Sequence, residues 1–151
     1  MEKNQFKISP LQFNRYFVTQ LNIVANPLFD SSKGTVRQDT DLSVSGNFEK
    51  IPDEQGLFQI TLNIQLQASS GSNLPYSIVV EIIGLIKSHM TGPDETVEKV
   101  VFVNGSSMLY CTAREIIRSV TATGPYSQIL MPSITFAEPP KSNQKTPSQT
   151  T

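Results

Sequence analysis

The stretch "LFQITLNIQLQAS", residues 57–69, decides the fold class. Phe58, Ile60, Leu62, Ile64, Leu66 and Ala68 alternate without a break with Gln59, Thr61, Asn63, Gln65 and Gln67. A period of two puts every apolar side chain on one face of a pleated strand, so this is a half-buried strand of an antiparallel sheet. Upstream, "DLSVSGNFE" (41–49) repeats the pattern with Leu42, Val44, Gly46 and Phe48. The intervening "KIPDEQG" carries the Pro, Asp and Gly of a hairpin turn. Downstream, "YSIVVEIIGLIK" (76–87) is apolar on both faces, as a more central strand would be, and Gly84 permits a bulge or a close approach. Residues 11–25, with Phe13, Tyr16, Phe17, Val18, Leu21, Ile23 and Val24, form a long first strand. Four strands with short connections predict a meander or a Greek key. Only the crossover "NPLFDSSKGTVRQDT" (26–40) is too long for a tight hairpin.

A helix follows the strands. Asn104-Gly105-Ser106-Ser107 offers N-cap oxygens, and Leu109, Ala113, Ile116, Ile117 and Val120 then fall within about 100° of helical arc. Cys111, Arg114 and Arg118 lie opposite. Gly124 is expected to end the helix at C′, and Pro125 prevents its resuming. Before the cap, "TVEKVVFVN" (96–104) fits a short strand or a short helix, and Asp94, Glu95 and Glu98 read as solvated carboxylates in a Pro/Gly loop. After the helix, "GPYSQILMPSITF" (124–136) holds Ile129, Leu130, Met131, Ile134 and Phe136 around Pro132, which cannot donate to a ladder. This segment is too broken for a helix or a central strand.

The composition narrows function by exclusion. The chain of 151 residues, 38% apolar, is read as one domain over 1–138 with a disordered polar tail over 139–151. Twelve basic against 13 acidic residues give no cationic surface for nucleic acid or an anionic membrane. No apolar run approaches ~20 residues and no signal-like h-region opens the chain, so membrane insertion is not expected and the cytoplasm is the expected location. Cys111 is the single cysteine and His89 the single histidine, in separate segments, so neither a cysteine–histidine nucleophile nor a zinc site is expected. There is no phosphate-binding glycine loop and no nucleophile elbow. The sequence thus predicts no enzyme, no catalytic residue and no cofactor. What stands out instead is apolar: Leu28 and Phe29 in the crossover, and the oily segment after the helix, either close the core or wall a groove.

Residues 106–136, "SSMLYCTAREIIRSVTATGPYSQILMPSITF", resemble the C-terminal half of the SecB family of protein-export chaperones. The matching positions are Ala113-Arg114-Glu115, Gly124, Tyr126, Ile129 to Met131, and Ile134-Thr135-Phe136. The order of elements fits over about 8–138. The resemblance implies an α+β fold, a four-stranded antiparallel sheet with a long C-terminal helix on one face. It implies a homotetramer, a dimer of dimers meeting through the helices, with Cys111, Arg114, Glu115 and Arg118 at the interface. It implies an ATP-independent holdase that binds non-native polypeptides, preproteins or an antitoxin. The client groove would have Leu28 and Phe29 on one wall and Tyr126, Ile129, Leu130, Met131, Ile134 and Phe136 on the other. Family members that dock on the export ATPase SecA use a carboxylate-rich sheet face. The outward strand positions here offer only Asp41, Glu49 and Glu81, which argues against SecA docking. A SecB-like chaperone serving a toxin–antitoxin pair, or a small-molecule-binding α+β domain with a helical lid, are the alternative readings.

Overall fold

The computed structural model describes residues 6–137; the tail expected over 139–151 lies outside them. Strand β1 spans Leu11–Ala25, β2 Leu42–Lys50, β3 Leu57–Leu66 and β4 Tyr76–Ser88, and the helix α1 spans Asp94–Thr121. All pairings are antiparallel, in the order β1-β4-β3-β2. β2, β3 and β4 form a meander, and the crossover carries the chain from β1 so that β1 lies beside β4. The topology is a Greek key. β4, the strand that reads as apolar on both faces, is interior.

β1 lacks strict alternation, and its register shows why. Bulges between Phe13 and Arg15 and between Val18 and Gln20 each insert one residue. Phe13, Tyr16, Val18, Leu21 and Ile23 therefore all pair with residues of the same β4 face, Ile86, Gly84, Ile82, Val80 and Ile78. That face is the core. Ile60, Leu62, Ile64, Ile78, Val80, Ile82 and Ile86 are fully buried on it, beneath Val101, Leu109, Ala113 and Ile117 of α1.

The helix begins at Asp94, not after a cap at Asn104. Segment 96–104 is helical, and Asp94, Glu95 and Glu98 belong to its first turns rather than to a loop. Asp94 and Glu95 complement the positive end of the helix dipole. Gly105 and Ser106 lie buried at mid-helix. The glycine that resembles a start signal has a tertiary cause: a Cβ there would overlap Ile86 Cδ1 and come within 2.7 Å of Ile60 Cδ1. Gly105 marks the closest approach of helix to sheet. Asn104-Gly105-Ser106 is accordingly helical and not a loop.

Two further expectations change. Gly124 is not a left-handed C′ residue, since Ala122 caps the helix in right-handed conformation and, among the described residues, positive φ occurs only at Gly34, Gly56, Gly71 and Gly92. A Cβ at Gly124 would overlap Tyr76 Oη, so its role is to let the chain pass over that ring. The buried stripe of α1 is also rotated. Phe102, Ser106, Tyr110 and Thr121 join it, whereas Ile116 is half-buried and Val120 is 38% exposed. The segment after the helix packs on the Phe102–Tyr110 flank and covers it.

At an exposed mid-helix position Gly→Ala would gain about 1 kcal/mol. At position 105 the added methyl must displace two packed isoleucines, a strain of about 1–3 kcal/mol. Gly105→Ala is therefore expected to lower the unfolding free energy, read from a urea transition with unchanged slope; a stabilised variant would contradict this account of the helix seat.

Candidate functional site

From Pro125 the chain turns back along α1 without joining the sheet. Its side chains alternate nonetheless: Ile129 and Met131 are buried, Leu130 is exposed, and beyond Pro132 the half-buried Ile134 and Phe136 alternate with exposed Ser133 and Thr135. Phe136 sets its ring edge-on to Phe102 and Tyr110. An extended segment with one face inward needs hydrogen-bond partners other than a ladder, and it takes them from side chains. Tyr110 Oη donates to Pro132 O at 2.7 Å, Ile129 N donates to Thr121 Oγ1 at 2.9 Å, and Tyr126 N donates to Tyr76 Oη at 3.0 Å. Burial pushes the Tyr110 phenol above its ordinary value, against the pull of Arg114 and Arg37 nearby. The group stays a neutral donor.

The crossover is pinned by a different set of groups. Val36 and Asn73 exchange backbone hydrogen bonds of 2.9 and 2.8 Å. The Asn73 side chain accepts from Asp30 N at 3.0 Å and donates to Asp30 O at 2.8 Å and Gly34 O at 2.6 Å. Asp41 closes the loop. It is buried, and its carboxylate accepts from the hydroxyls of Ser69 and Ser72 and from Gln38 N. The Ser69 and Ser72 hydrogen bonds hold its pKa below the ordinary aspartate value. Asp41 is thus no outward strand residue; it fastens the crossover to the β3–β4 connection.

Between these two anchored segments runs a trough. At one end Phe29, Ser31, Gly34, Thr35, Pro125, Tyr126 and Ser127 line a cavity of about 690 Å³. Continuing from Thr35, a second cavity of about 280 Å³ has Leu66 and Leu74 as its floor and Ile129, Leu130, Met131 and Pro132 as its far wall. Tyr126 ties the walls together: its ring meets Phe29 edge-on at 4.9 Å, and its hydroxyl donates to Asn26 O at 3.1 Å. The structure thus brings Phe29, Tyr126, Ile129, Leu130 and Met131 into one trough. Leu130 is 70% exposed on its wall, while Ile129 and Met131 present only edges to it. Leu28, 87% exposed, lies outside both cavity linings, and Ile134 and Phe136 lie further along, against the core. Nothing in the sequence marks the floor residues Leu66 and Leu74 or the trough residue Arg37 as part of a site; Leu66 is one more position of an alternating strand.

On the helix, Arg114 reaches Ser133 at 3.4 Å, and Arg118 pairs with Glu115 and approaches Gln128 at 3.3 Å, so both arginines turn toward the post-helix segment. Cys111 and Glu115 instead join Thr112, Ile116, Ser119 and Val120 on a shallow surface shared with Tyr16 of β1. On the other side of the sheet no layer covers the strands among the described residues. Its acids are Glu49 and Glu81, set among Ser43, Ser45, Asn47, Thr61, Asn63, Val79, Ile83 and Leu85. No cluster able to hold a metal occurs among the described residues, and no helix there is long and apolar enough to cross a membrane.

A Greek-key sheet backed by one long helix and a returning extended segment defines a SecB-like fold. It is similar to a SecB-like chaperone of Mycobacterium tuberculosis, solved in complex with a ChAD peptide from the HigA1 antitoxin. The TM-score is 0.64 at 13% identity, over 83% of this chain and 91% of that one. The family described as "Preprotein translocase subunit SecB" matches residues 4–145, and the chain belongs to the SecB family. It is 25% identical over 96 residues to the protein-export protein SecB of Hyphomonas neptunium, a span of 64% of this chain and 57% of that protein. With the protein-export protein SecB of Rhodopseudomonas palustris it shares 23% identity over 126 residues, 78% of this chain and 80% of the other.

Two outcomes check the anchoring. Asn73→Ala is expected to speed amide exchange at Asp30 and Val36 about tenfold or more while β3 and β4 stay protected, because a local opening is released without the core. Unchanged exchange at Asp30 would remove Asn73 from this role. Asp41, with its folded pKa lowered, stabilises the crossover at pH above the ordinary aspartate value and loses that contribution as pH falls through the lowered one. The amide shifts of Ser69 and Ser72 should accordingly titrate with a midpoint below about 3.9 in an NMR series, and not at all in Asp41→Asn.

Proposed function

We propose that this protein is an ATP-independent chaperone that holds extended, non-native polypeptides in the trough between the crossover and the post-helix segment. The observation that carries the reading is the trough itself, two anchored walls with the apolar Leu130 left largely open to solvent on one of them. Family membership supports it, as does the similarity to a chaperone solved with a peptide. Phe29 and Tyr126 offer an aromatic shelf, Leu66 and Leu74 an apolar floor, and Leu130 with the edge of Met131 a wall. Leu28 extends the apolar surface beyond the crossover wall, and Ile134 and Phe136 support the far wall from below. Burial of guest side chains there is worth roughly 25 cal/mol per Å² of apolar area. Folded proteins keep such side chains inside, which gives selectivity for unfolded ones.

The same reading includes assembly into a homotetramer, a dimer of dimers. Its support is the inner face of β1, where Tyr16 (47% exposed), Val18 (36%) and Leu21 (43%) stay open beside Ile116, Val120, Cys111 and Glu115 of α1. Several troughs acting on one long guest would raise avidity through effective concentration. For partners, the outer sheet face favours a dedicated client such as an antitoxin over docking on SecA, because Glu49 and Glu81 are its only acids among the described residues. Binding of SecA at micromolar concentration would reverse that preference.

The experiment is suppression of aggregation of a chemically unfolded client at near-stoichiometric ratio. Leu130→Asp, at an exposed position, is expected to leave stability within about 0.5 kcal/mol and to raise the Kd for client about tenfold. A variant that protects as well as the parent chain, or a parent that is monomeric and does not protect, would overturn the reading.

A further inference from the structure

Among the residues lining the two cavities of the trough, Arg37 alone carries a charge. It stands at the rim of the apolar cavity floored by Leu66 and Leu74, and its guanidinium has no ion pair among the described residues. Asp30, Asp41 and Glu115 are otherwise engaged, and the exposed Asp39, two residues on, makes no ion pair with Arg37. Asp30 pairs with Lys33 and caps its own turn through Ser32, Glu115 pairs with Arg118, and the carboxylate of Asp41 is filled by Ser69, Ser72 and Gln38. Arg114 reinforces the sign of the field from the other wall, where it reaches Ser133 beside Pro132. A guanidinium has five donors and no acceptor, and it matches a carboxylate in a two-pronged pair.

Resting on the holdase reading above, we propose that Arg37 is a specificity residue: the trough selects extended apolar segments that carry an acidic side chain next to the bulky residue seated over Leu66 and Leu74, and disfavours segments with Lys or Arg there. The carboxylate of the guest would meet Arg37 at the rim while its apolar neighbour fills the cavity. A basic guest residue would meet two arginines that make no ion pair among the described residues. At the rim such pairing acts on encounter and choice of segment more than on total affinity, and salt screens it.

The test uses the full-length protein and three synthetic peptides with the same Leu- and Phe-containing extended core, bearing Asp, Asn or Lys at one position beside the Leu. Affinities are read by fluorescence anisotropy at low and high salt. The Asp peptide is expected to bind about fivefold tighter than the Lys peptide at low salt, with the ratio shrinking at high salt. Arg37→Glu should invert the ratio, Arg37→Ala should bring it to about one, and Arg37→Lys should retain part of it. A merely structural role for Arg37 would weaken all three peptides alike and leave the ratio standing, which would overturn the proposal. Equal binding of the Asp and Lys peptides by the parent chain, with the Asn peptide bound, overturns it while sparing the holdase reading. If none of the peptides binds, both fall together.

Discussion

A single helix cannot roof a four-stranded sheet. Strands lie about 4.8 Å apart and a helix with its side chains is about 10 Å wide, so α1 covers little more than the two central strands. Its closest approach is over β3 and β4, where Gly105 sits against Ile60 and Ile86. The inner faces of β1 and β2 are left over. On the β2 side the chain provides its own cover, the extended segment after the helix, which spends Ile129, Met131, Ile134 and Phe136 on the gap. On the β1 side no described segment beyond α1 arrives, and Tyr16, Val18 and Leu21 stay partly open. The oily post-helix segment and the apolar face of β1 are therefore two consequences of one geometric shortage.

That shortage also explains which parts of the molecule were legible in the sequence. β2 and β3 announce themselves because each has one wet face and one dry face. β1 is legible as a strand but not as a face, since two bulges decide which of its residues look inward and nothing in the local pattern marks them. The first turns of α1 mislead for a related reason. Gly105 looks like a cap signal in isolation, but its cause is a contact with residues far away in the chain. Gly124 misleads in the same way, its neighbour being Tyr76 rather than the end of the helix.

For the site, the two walls could be read from their apolar content, and their joint use could not. Ile129, Leu130 and Met131 are interchangeable by composition; only the direction of each side chain along an extended segment separates a buried residue from an exposed one. Leu66 and Leu74 form the floor because a strand end and a connecting loop happen to meet under the crossover. Arg37 was silent in the sequence because an unpaired arginine is recognised only once the positions of every nearby acid are known.

Under the proposed holdase function, the crossover wall carries the demand most plainly. A loop of this length must be fixed in place if it is to greet an extended guest without an ordering cost at each encounter. Fixing it with apolar side chains would consume the very groups that a guest, on the proposed function, would need. Here the task falls to polar ones: Asn73 holds Asp30 and Gly34, and Asp41 holds Ser69 and Ser72. Of the apolar residues in that loop, Leu28 stays in solvent and Phe29 rests on Tyr126 at the mouth of the trough. A wall anchored by hydrogen bonds keeps its greasy surface unspent, and on the proposed holdase function that division of labour would let one segment be both ordered and adhesive.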